Sequence, residues 1–209
     1  LGRKLVVKCN EIGIIIDGSH ASDKAVLEMI SLSKSPIILS HSGAKSVFNH
    51  PRNVNDKILL KIAKNGGVIS LNAYPQYLRE INFSPEKKKE RGNFIKKFFK
   101  VEDEDNPIPF EIFSQTLKNI DAKYPSINAS FQDYMDHFDY ILDMIGPEFL
   151  GIGADWDGGG GVDGMIDVSD IPKITNYLIK KGVSNDELGQ IWSGNILRVM
   201  RDVEQNSIK

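Results

Sequence analysis

The sequence has 209 residues, 41% of them hydrophobic, which is enough for one domain with a packed core. Its 26 lysines and arginines nearly balance 28 aspartates and glutamates, for a formal net charge of −2. This balance gives no electrostatic basis for binding nucleic acid or an anionic membrane. Cys9 is the single cysteine, which excludes an intrachain disulfide and a zinc site built from several thiolates.

Neither a membrane span nor a targeting segment is indicated by the residues of this sequence. No run of eighteen apolar residues occurs, so the sequence predicts no membrane span. The chain opens in a helical pattern over residues 1–8 without an N-cap before it. We therefore expect the natural N-terminus, with any targeting segment, to lie upstream.

Short apolar runs alternate with helical patterns along most of the chain. Continuous apolar runs predict strands at residues 12–17, 36–40, 68–72 and 149–155. Apolar spacing with cap residues predicts helices at residues 24–33, 56–65, 131–145, 171–181 and 186–206. This alternation implies parallel strands joined by helical crossovers, in an α/β fold. An open doubly wound sheet and a piece of an eight-stranded barrel both fit it.

Residues 76–129 do not follow this alternation of strands and helices. The segment is long and charged and contains four prolines, and its basic run at 87–89 is offset by an acidic run at 102–105. We interpret it as a solvated insertion between a strand and the next helix. A functional lid is the alternative, since long loops often serve as lids.

Polar side chains follow the predicted strands at their carboxyl ends, where parallel α/β proteins build active sites. His20 follows the first strand, His41 follows the second, and Asp155 follows the fourth. The histidines indicate a metal pair or an acid/base pair; imidazole suits zinc, and a nearby carboxylate could act on a metal-bound water. The alternative is that each histidine is a hydrogen-bonded structural residue, which is our interpretation of His50 and His137.

Two loops complete the candidate site. Arg52 leaves the second strand in a loop and is suited to hold a carboxylate by two-point contact; a surface arginine beside the next helix is the alternative. The glycine run at 158–161 lacks the Lys-Ser/Thr of a phosphate-binding loop, so it favours a flexible turn.

Together these segments resemble the membrane dipeptidase family, also called renal dipeptidases or peptidase family M19. The joint occurrence of Asp17-Gly18-Ser19-His20, Ser40-His41-Ser42, Arg52-Asn53 and Asp155-Trp156-Asp157-Gly158 is highly specific. The matching stretches are residues 16–22, 36–44, 52–56, 66–69, 151–158 and 194–199.

The resemblance implies a metallodipeptidase, an enzyme with two zinc ions on a (β/α)₈ barrel, of which this chain would be the C-terminal half with strands five to eight. It implies that His20 and His41 are zinc ligands, and that Arg52 binds the terminal carboxylate of a dipeptide substrate. It implies that Asp155 faces the free amino group of the substrate and helps to move protons. Similar proteins with this glycine-rich variant and long insertion look bacterial and often exported.

The family's first-strand His-x-Asp pair, its bridging glutamate and a further substrate-binding histidine precede the region that this chain matches. We therefore expect the chain to be inactive alone. The missing half lies upstream in the natural protein or comes from another chain, as it would in a homodimer. A non-catalytic barrel that binds peptide-like ligands or a partner is the alternative from another class of function. A different amidohydrolase is a third, against which Arg52 and Asp155 count.

Overall fold

The structure is a computed structural model that describes residues 1–99 and 108–207. The chain divides into two compact units, the first formed by Leu1–Arg79 with Ala129–Lys209 and the second by Glu80–Asn128. The acidic run at 102–105, part of the predicted insertion, lies outside the described residues. No helix within the described ranges is long and apolar enough to cross a membrane.

The first unit is built on a parallel sheet. Its strands are β1 (Ile38–Ser42), β2 (Val68–Leu71) and β3 (Leu150–Ile152), in the order β1-β2-β3. Both pairs are parallel. The prediction of an α/β fold with parallel strands is thus confirmed.

The α-helices of the described residues follow in chain order. They are α1 (Gly2–Ile12), α2 (Asp23–Leu32), α3 (Asp56–Asn65), α4 (Pro75–Leu78), α5 (Pro85–Phe99), α6 (Phe110–Lys123), α7 (Phe131–Ile145), α8 (Ile171–Lys181), α9 (Asn185–Gly189) and α10 (Asn195–Gln205). Short 3₁₀ turns lie at Pro147–Phe149 and Val168–Asp170, and a π-helical turn lies at Gln190–Gly194.

The strand predicted at residues 12–17 is shorter than the sequence indicates. Helix α1 includes Ile12 and ends at Gly13 in the left-handed conformation that glycine adopts readily, with φ 75°. Of the remaining residues, only Asp17 forms a bridge, parallel to Ile38. The Gly18 N–H then donates to the Ile38 carbonyl at 2.9 Å. The segment lies beside β1 as a fourth strand would, but it makes too few hydrogen bonds to count as one.

Side-chain caps determine several helix ends. The Asn55 side chain accepts a hydrogen bond from the Ile58 N–H at the start of α3, and Gly66 ends that helix. Ser184 and Glu187 form a capping box at the start of α9, as the sequence predicts. The last predicted helix, at 186–206, is interrupted by the π-helical turn, which the apolar spacing does not reveal.

The strands of the sheet lie in the core of the first unit. Leu39, Ile69 and Leu150 on the strands are fully buried, as is usual for parallel strands. Burying a side chain of this size stabilises the fold by about 1.5–3 kcal/mol. This packing holds the carboxyl ends of the strands in place, and the candidate site lies there.

The second unit contains α5 and α6. The Lys87 side chain is buried, donates to Ser126 Oγ at 3.0 Å and pairs with Asp121 at 3.1 Å. Arg91 pairs with the same carboxylate at 3.1 Å. The rings of Phe94 and Phe113 stack at 5.6 Å between centroids. Lys87 and Arg91 therefore make their ion pairs within this unit.

Candidate metal and substrate site

Two histidines meet at the carboxyl end of the sheet. His20 lies in the turn that follows the Asp17 bridge, and His41 lies in β1. Their Nε2 atoms are 2.9 Å apart, and the ring centroids are 4.8 Å apart at an interplanar angle of 60°. His20 is exposed and His41 is half-buried. The structure therefore brings these two sequence-predicted residues together.

The carboxylate of Asp17 anchors the segments that carry both histidines. Its Oδ1 accepts hydrogen bonds from the Ser19 N–H at 3.0 Å, the Ser19 hydroxyl at 2.8 Å and the Ser40 N–H at 3.1 Å. Its Oδ2 accepts from the Ser40 hydroxyl at 2.5 Å. Partial burial would raise the pKa of Asp17, but these hydrogen bonds outweigh it and hold the pKa below its usual value. The group is therefore an ionised acceptor at neutral pH.

The environment of His41 favours its neutral form. Burial lowers the pKa of the imidazole below its usual value, and the positive charges of His20 and Arg52 act in the same direction. Asp155 and Asp17 oppose the shift without reversing it. A neutral imidazole is the form that binds a metal ion, so His41 is a ready ligand at neutral pH.

A zinc ion fits the histidine pair in part. Two Zn–N bonds of about 2.0–2.1 Å each allow the two nitrogens to lie up to about 4 Å apart, and the observed 2.9 Å lies within that reach. Across the described residues, no group of three or more His, Cys, Asp or Glu side chains could hold a metal ion. Catalytic zinc sites use three protein ligands. The described residues thus offer two ligands and need at least one more.

A His-x-Asp spacing does occur in the chain, at His137-Phe138-Asp139, but it lies on α7. His137 is fully buried; its Nδ1 accepts from the Ala44 N–H at 3.1 Å, and its Nε2 lies 3.1 Å from the Leu78 carbonyl. Burial lowers the pKa of His137, which keeps the ring neutral. Both ring nitrogens of His137 make hydrogen bonds to the backbone, so His137 and Asp139 do not form a metal site.

Asp155 follows β3 in an unusual backbone conformation. It has φ 60°, the only positive φ of a non-glycine residue in the described ranges. Its carbonyl accepts from the N–H groups of Gly158 at 3.1 Å and Gly160 at 2.7 Å. A Cβ at Gly158 would lie 2.3 Å from Asp155 Oδ1. Gly158 therefore lies against this carboxylate with no room for a side chain, and Asn72 Nδ2 donates to the Asp155 Oδ2 at 3.4 Å.

A pocket of about 380 Å³ is lined by both Asp155 and His41. It is lined by Ser40, His41 and residues 153–157. Trp156 forms part of its wall, and its indole Nε1 is buried without a hydrogen-bond partner. The pocket places a carboxylate beside a candidate metal ligand.

Arg52 lies beside the turn that contains Ser19 and His20. One guanidinium nitrogen donates to the Ser19 carbonyl, and the guanidinium carbon lies 5.4 Å from the centroid of the Tyr77 ring. The Tyr77 ring also stacks on His50 at 4.6 Å. Tyr77 lies within the predicted insertion at residues 76–129, and the sequence predicts only a structural role for His50. The structure places both against Arg52, and the Tyr74–Tyr77 spacing around Pro75 is the signal that could have indicated it.

These observations define the class: a parallel α/β protein whose candidate site lies at the carboxyl ends of its strands and holds a histidine pair, an arginine and a carboxylate. A comparison of the whole sequence with protein-family models identifies the family. The model described as membrane dipeptidase (Peptidase family M19) matches residues 1–209. The chain belongs to peptidase family M19, the membrane dipeptidases.

Relatives support this assignment. Dipeptidase 3 of Rattus norvegicus is 33% identical over 205 residues, covering 98% of this chain and 33% of the relative. Dipeptidase verJ of Clonostachys rogersoniana is 32% identical over 209 residues, covering 100% of this chain and 42% of the relative. The chain thus spans about a third to two-fifths of these curated relatives.

Solved structures share the fold. The probable dipeptidase PvdM from Pseudomonas aeruginosa matches with a TM-score of 0.76 and 30% identity, covering 98% of this chain and 54% of that one. A metallo peptidase from Rhodobacter sphaeroides, liganded with a phosphinate mimic of L-Ala-D-Ala, matches with a TM-score of 0.69 and 22% identity, over 97% and 46% of the two chains. The second likeness shows the fold alone. The chain spans about half of each solved structure.

Proposed function

We propose that this chain is the C-terminal half, strands five to eight, of a (β/α)₈ barrel whose complete form is a zinc-dependent dipeptidase. Three observed parallel strands, with the Asp17 segment beside β1, supply four successive positions for such a half barrel. Membership in family M19 and the names of the relatives, which are dipeptidases, support the activity. The observation that carries the proposal is the convergence of His20 and His41 beside the pocket that contains Asp155.

His20 and His41 hold the metal through their Nε2 atoms. When bound, zinc polarises the peptide carbonyl of the substrate and lowers the pKa of a water molecule, which supplies the nucleophile for hydrolysis. The complete family site holds two ions, and the remaining ligands come from the other half of the barrel. The chain alone is inactive for that reason.

Arg52 binds the terminal carboxylate of the dipeptide. The Ser19 carbonyl uses one N–H of the guanidinium, and the Tyr77 ring lies beside it. The other N–H groups of the fork stay available for two-point contact with a carboxylate. The arginine is therefore oriented before the substrate binds, which reduces the entropic cost of binding.

Asp155 binds the free ammonium group of the dipeptide and accepts or returns a proton during hydrolysis. The glycine run and Asn72 hold the carboxylate in the pocket next to His41. Arg52 and Asp155 thus recognise the two charged ends of a dipeptide. A substrate without one of these charges would lose the corresponding contact.

One observation favours a second candidate, a non-catalytic barrel that binds peptide-like ligands. Within the described ranges no side-chain group has the three ligands that a catalytic zinc ion needs. Arg52 and Asp155 are nevertheless placed to bind a ligand with opposite charges at its ends. Binding of a dipeptide without turnover, in the complete assembly with zinc, would support this candidate.

The experiment compares hydrolysis of L-Ala-L-Ala, its N-acetyl derivative and its C-terminal amide. It uses the chain alone and the chain extended upstream, both with added zinc. We expect no hydrolysis by the chain alone. We expect hydrolysis of the free dipeptide by the extended protein, with kcat/KM at least about tenfold lower for each blocked form, since each loses one charged contact worth about 1.5–3 kcal/mol. Equal rates on all three compounds would contradict the proposal.

A further inference from the structure

We infer that Asp17 is a positioning residue that fixes the tautomer of His41 through the hydroxyl of Ser40. The inference rests on the proposed function only where it treats His41 as a metal ligand. Asp17 directs the Ser40 hydrogen, Ser40 in turn requires the proton of His41 to lie on Nδ1, and Nε2 is left with its lone pair free. Each step follows from the hydrogen bonds of these three residues.

The Asp17 carboxylate has a limited number of hydrogen-bond acceptor sites. An ionised carboxylate accepts hydrogen bonds and donates none, and its two oxygens offer about four lone-pair sites. The carboxylate accepts from the N–H and the hydroxyl of Ser19 and from the N–H and the hydroxyl of Ser40. Oδ1 accepts three of these hydrogen bonds and Oδ2 accepts one, so Ser19 and Ser40 engage both oxygens of the carboxylate.

Each serine hydroxyl has a single hydrogen to donate. The Ser40 hydrogen points to Asp17 Oδ2, because an ionised carboxylate is the stronger acceptor and the distance is 2.5 Å. Ser40 Oγ also lies 2.8 Å from His41 Nδ1, and with its own hydrogen used it can only accept there. The proton of this contact must then be on Nδ1 of His41.

The hydrogen bonds of the Ser19 hydroxyl have the same direction as those of Ser40, towards Asp17. Its hydrogen goes to Asp17 Oδ1 at 2.8 Å, and its oxygen accepts from the His41 backbone N–H at 3.1 Å. Both the backbone and the ring of His41 are thus held by serine oxygens, and both serines are oriented by one carboxylate. The network is directional, from His41 through the serines to Asp17.

The consequence is a prepared metal-binding nitrogen. A neutral imidazole with its proton on Nδ1 has an unprotonated Nε2, and this atom lies 2.9 Å from Nε2 of His20. Hydrogen bonding of the non-ligating nitrogen is the general means by which proteins orient metal-binding histidines. Here the acceptor is a serine hydroxyl, and the carboxylate acts one step further away.

The same carboxylate also positions the proposed substrate contact. Asp17 fixes the loop at Ser19, and the Ser19 carbonyl accepts from the guanidinium of Arg52. Loss of Asp17 would therefore disturb the histidine pair and Arg52 together. Loss of the Ser40 hydroxyl would affect only His41.

The test is ¹⁵N NMR of the histidine rings in the metal-free chain, at a pH above the imidazole pKa. We expect the Nδ1–H tautomer for His41 in the wild type and its loss in Ser40→Ala. In Asp17→Asn the new amide donates to Ser40, which reverses the hydrogen bond to His41 and shifts its proton to Nε2. Ser40→Thr, which keeps the hydroxyl, should retain the Nδ1–H tautomer. Asp136→Asn, at an exposed carboxylate on α7, should change nothing.

Zinc titration of the same variants in the upstream-extended protein, which would supply the further ligands, gives a second readout. We expect about 10–100-fold weaker binding in Ser40→Ala and Asp17→Asn than in Ser40→Thr or Asp136→Asn. An Nε2–H tautomer for wild-type His41, or an unchanged tautomer in Ser40→Ala, would overturn the inference even if Asp17→Asn fails to fold. The tautomer is measured without metal or substrate, so this result is independent of dipeptidase activity.

Discussion

Gly153 lies so close to the Ser40 carbonyl that a Cβ at Gly153 would be 2.0 Å from that oxygen. Ser40 lies in β1 directly before His41, and Gly153 follows β3, on the other side of β2 in the sheet order. The close approach requires glycine, because any side chain would displace the backbone that carries the candidate metal ligand.

We expect Gly153→Ala to lower the free energy of unfolding by about 1–3 kcal/mol, as overpacking of a rigid interior does. Urea denaturation measures the change. Gly189→Ala is the matched control: Gly189 lies in α9 with nothing within 4 Å of an added Cβ, so alanine should raise stability by about 0.4–1 kcal/mol. If both variants have the wild-type urea midpoint, the Gly153 backbone does not approach the Ser40 carbonyl as closely as described.

Replacement of Arg52 should raise KM for dipeptides. Arg52→Ala removes a charge-assisted contact worth about 1.5–3 kcal/mol, so KM should rise about 10–100-fold with a smaller change in kcat. Arg52→Lys keeps the charge but loses two-point contact, and it should fall between alanine and wild type. Arg201→Ala, at an exposed position on α10, is the control. An unchanged KM in Arg52→Ala, measured in the upstream-extended protein, removes the assignment.

Asp155→Asn separates the carboxylate charge from the backbone conformation. Asparagine tolerates positive φ, so the variant should keep the turn at φ 60°, whereas Asp155→Ala adds strain of about 1–2 kcal/mol. We expect Asp155→Asn to retain the wild-type unfolding free energy and to lose at least about tenfold in kcat/KM for free dipeptides. Full activity of the folded asparagine variant would show that the charge is not needed.

Stability should decline in mild acid because His137 is buried as a neutral ring. Its pKa is lowered by burial, so the unfolded chain takes up a proton near about pH 6.5 while the folded chain does not. The free energy of unfolding therefore has its full value above about pH 6.5 and declines below it, by up to about 1.4 kcal/mol per pH unit for one proton.

Urea denaturation between about pH 5 and 8 measures this slope. The pKa values of His41 and His50 are also lowered, so they contribute with the same sign. His137→Gln should be less stable at neutral pH and show a shallower slope, and His50→Gln is the comparison for a less buried ring. An unchanged slope in His137→Gln would show that His137 is protonated in the folded protein.

The sequence indicates the strand-end residues of this site because their positions follow local patterns. Apolar runs place the strands, and His20, His41 and Asp155 come directly after them. Membership in family M19 then agrees with the resemblance that these motifs carry. The first strand was overestimated, because a β-branched run does not reveal that α1 continues to Ile12.

Contacts between distant segments could not be predicted in the same way. The hydrogen bonds of Asp17 to Ser40 and the packing of Tyr77 on Arg52 depend on how the loops pack, which no single window of sequence contains. The left-handed conformation of Asp155 is a similar case, although the glycines after it are a sign of a tight turn. The order of residues indicates that the strands end in polar side chains. The directions of the hydrogen bonds that these side chains make can be assigned only from the folded chain.

Zinc titration of the upstream-extended protein, which would supply the further ligands that this pair needs, tests the central claim, that His20 and His41 bind one metal ion together, most directly. Elemental analysis gives the stoichiometry, and the ring ¹⁵N signals identify the ligands. We expect zinc to bind at this pair in the wild type and in His50→Ala, and to be lost in the variant that combines His20→Ala with His41→Ala. Equal zinc binding in the double variant, or saturating zinc that leaves both rings unchanged, would contradict the account.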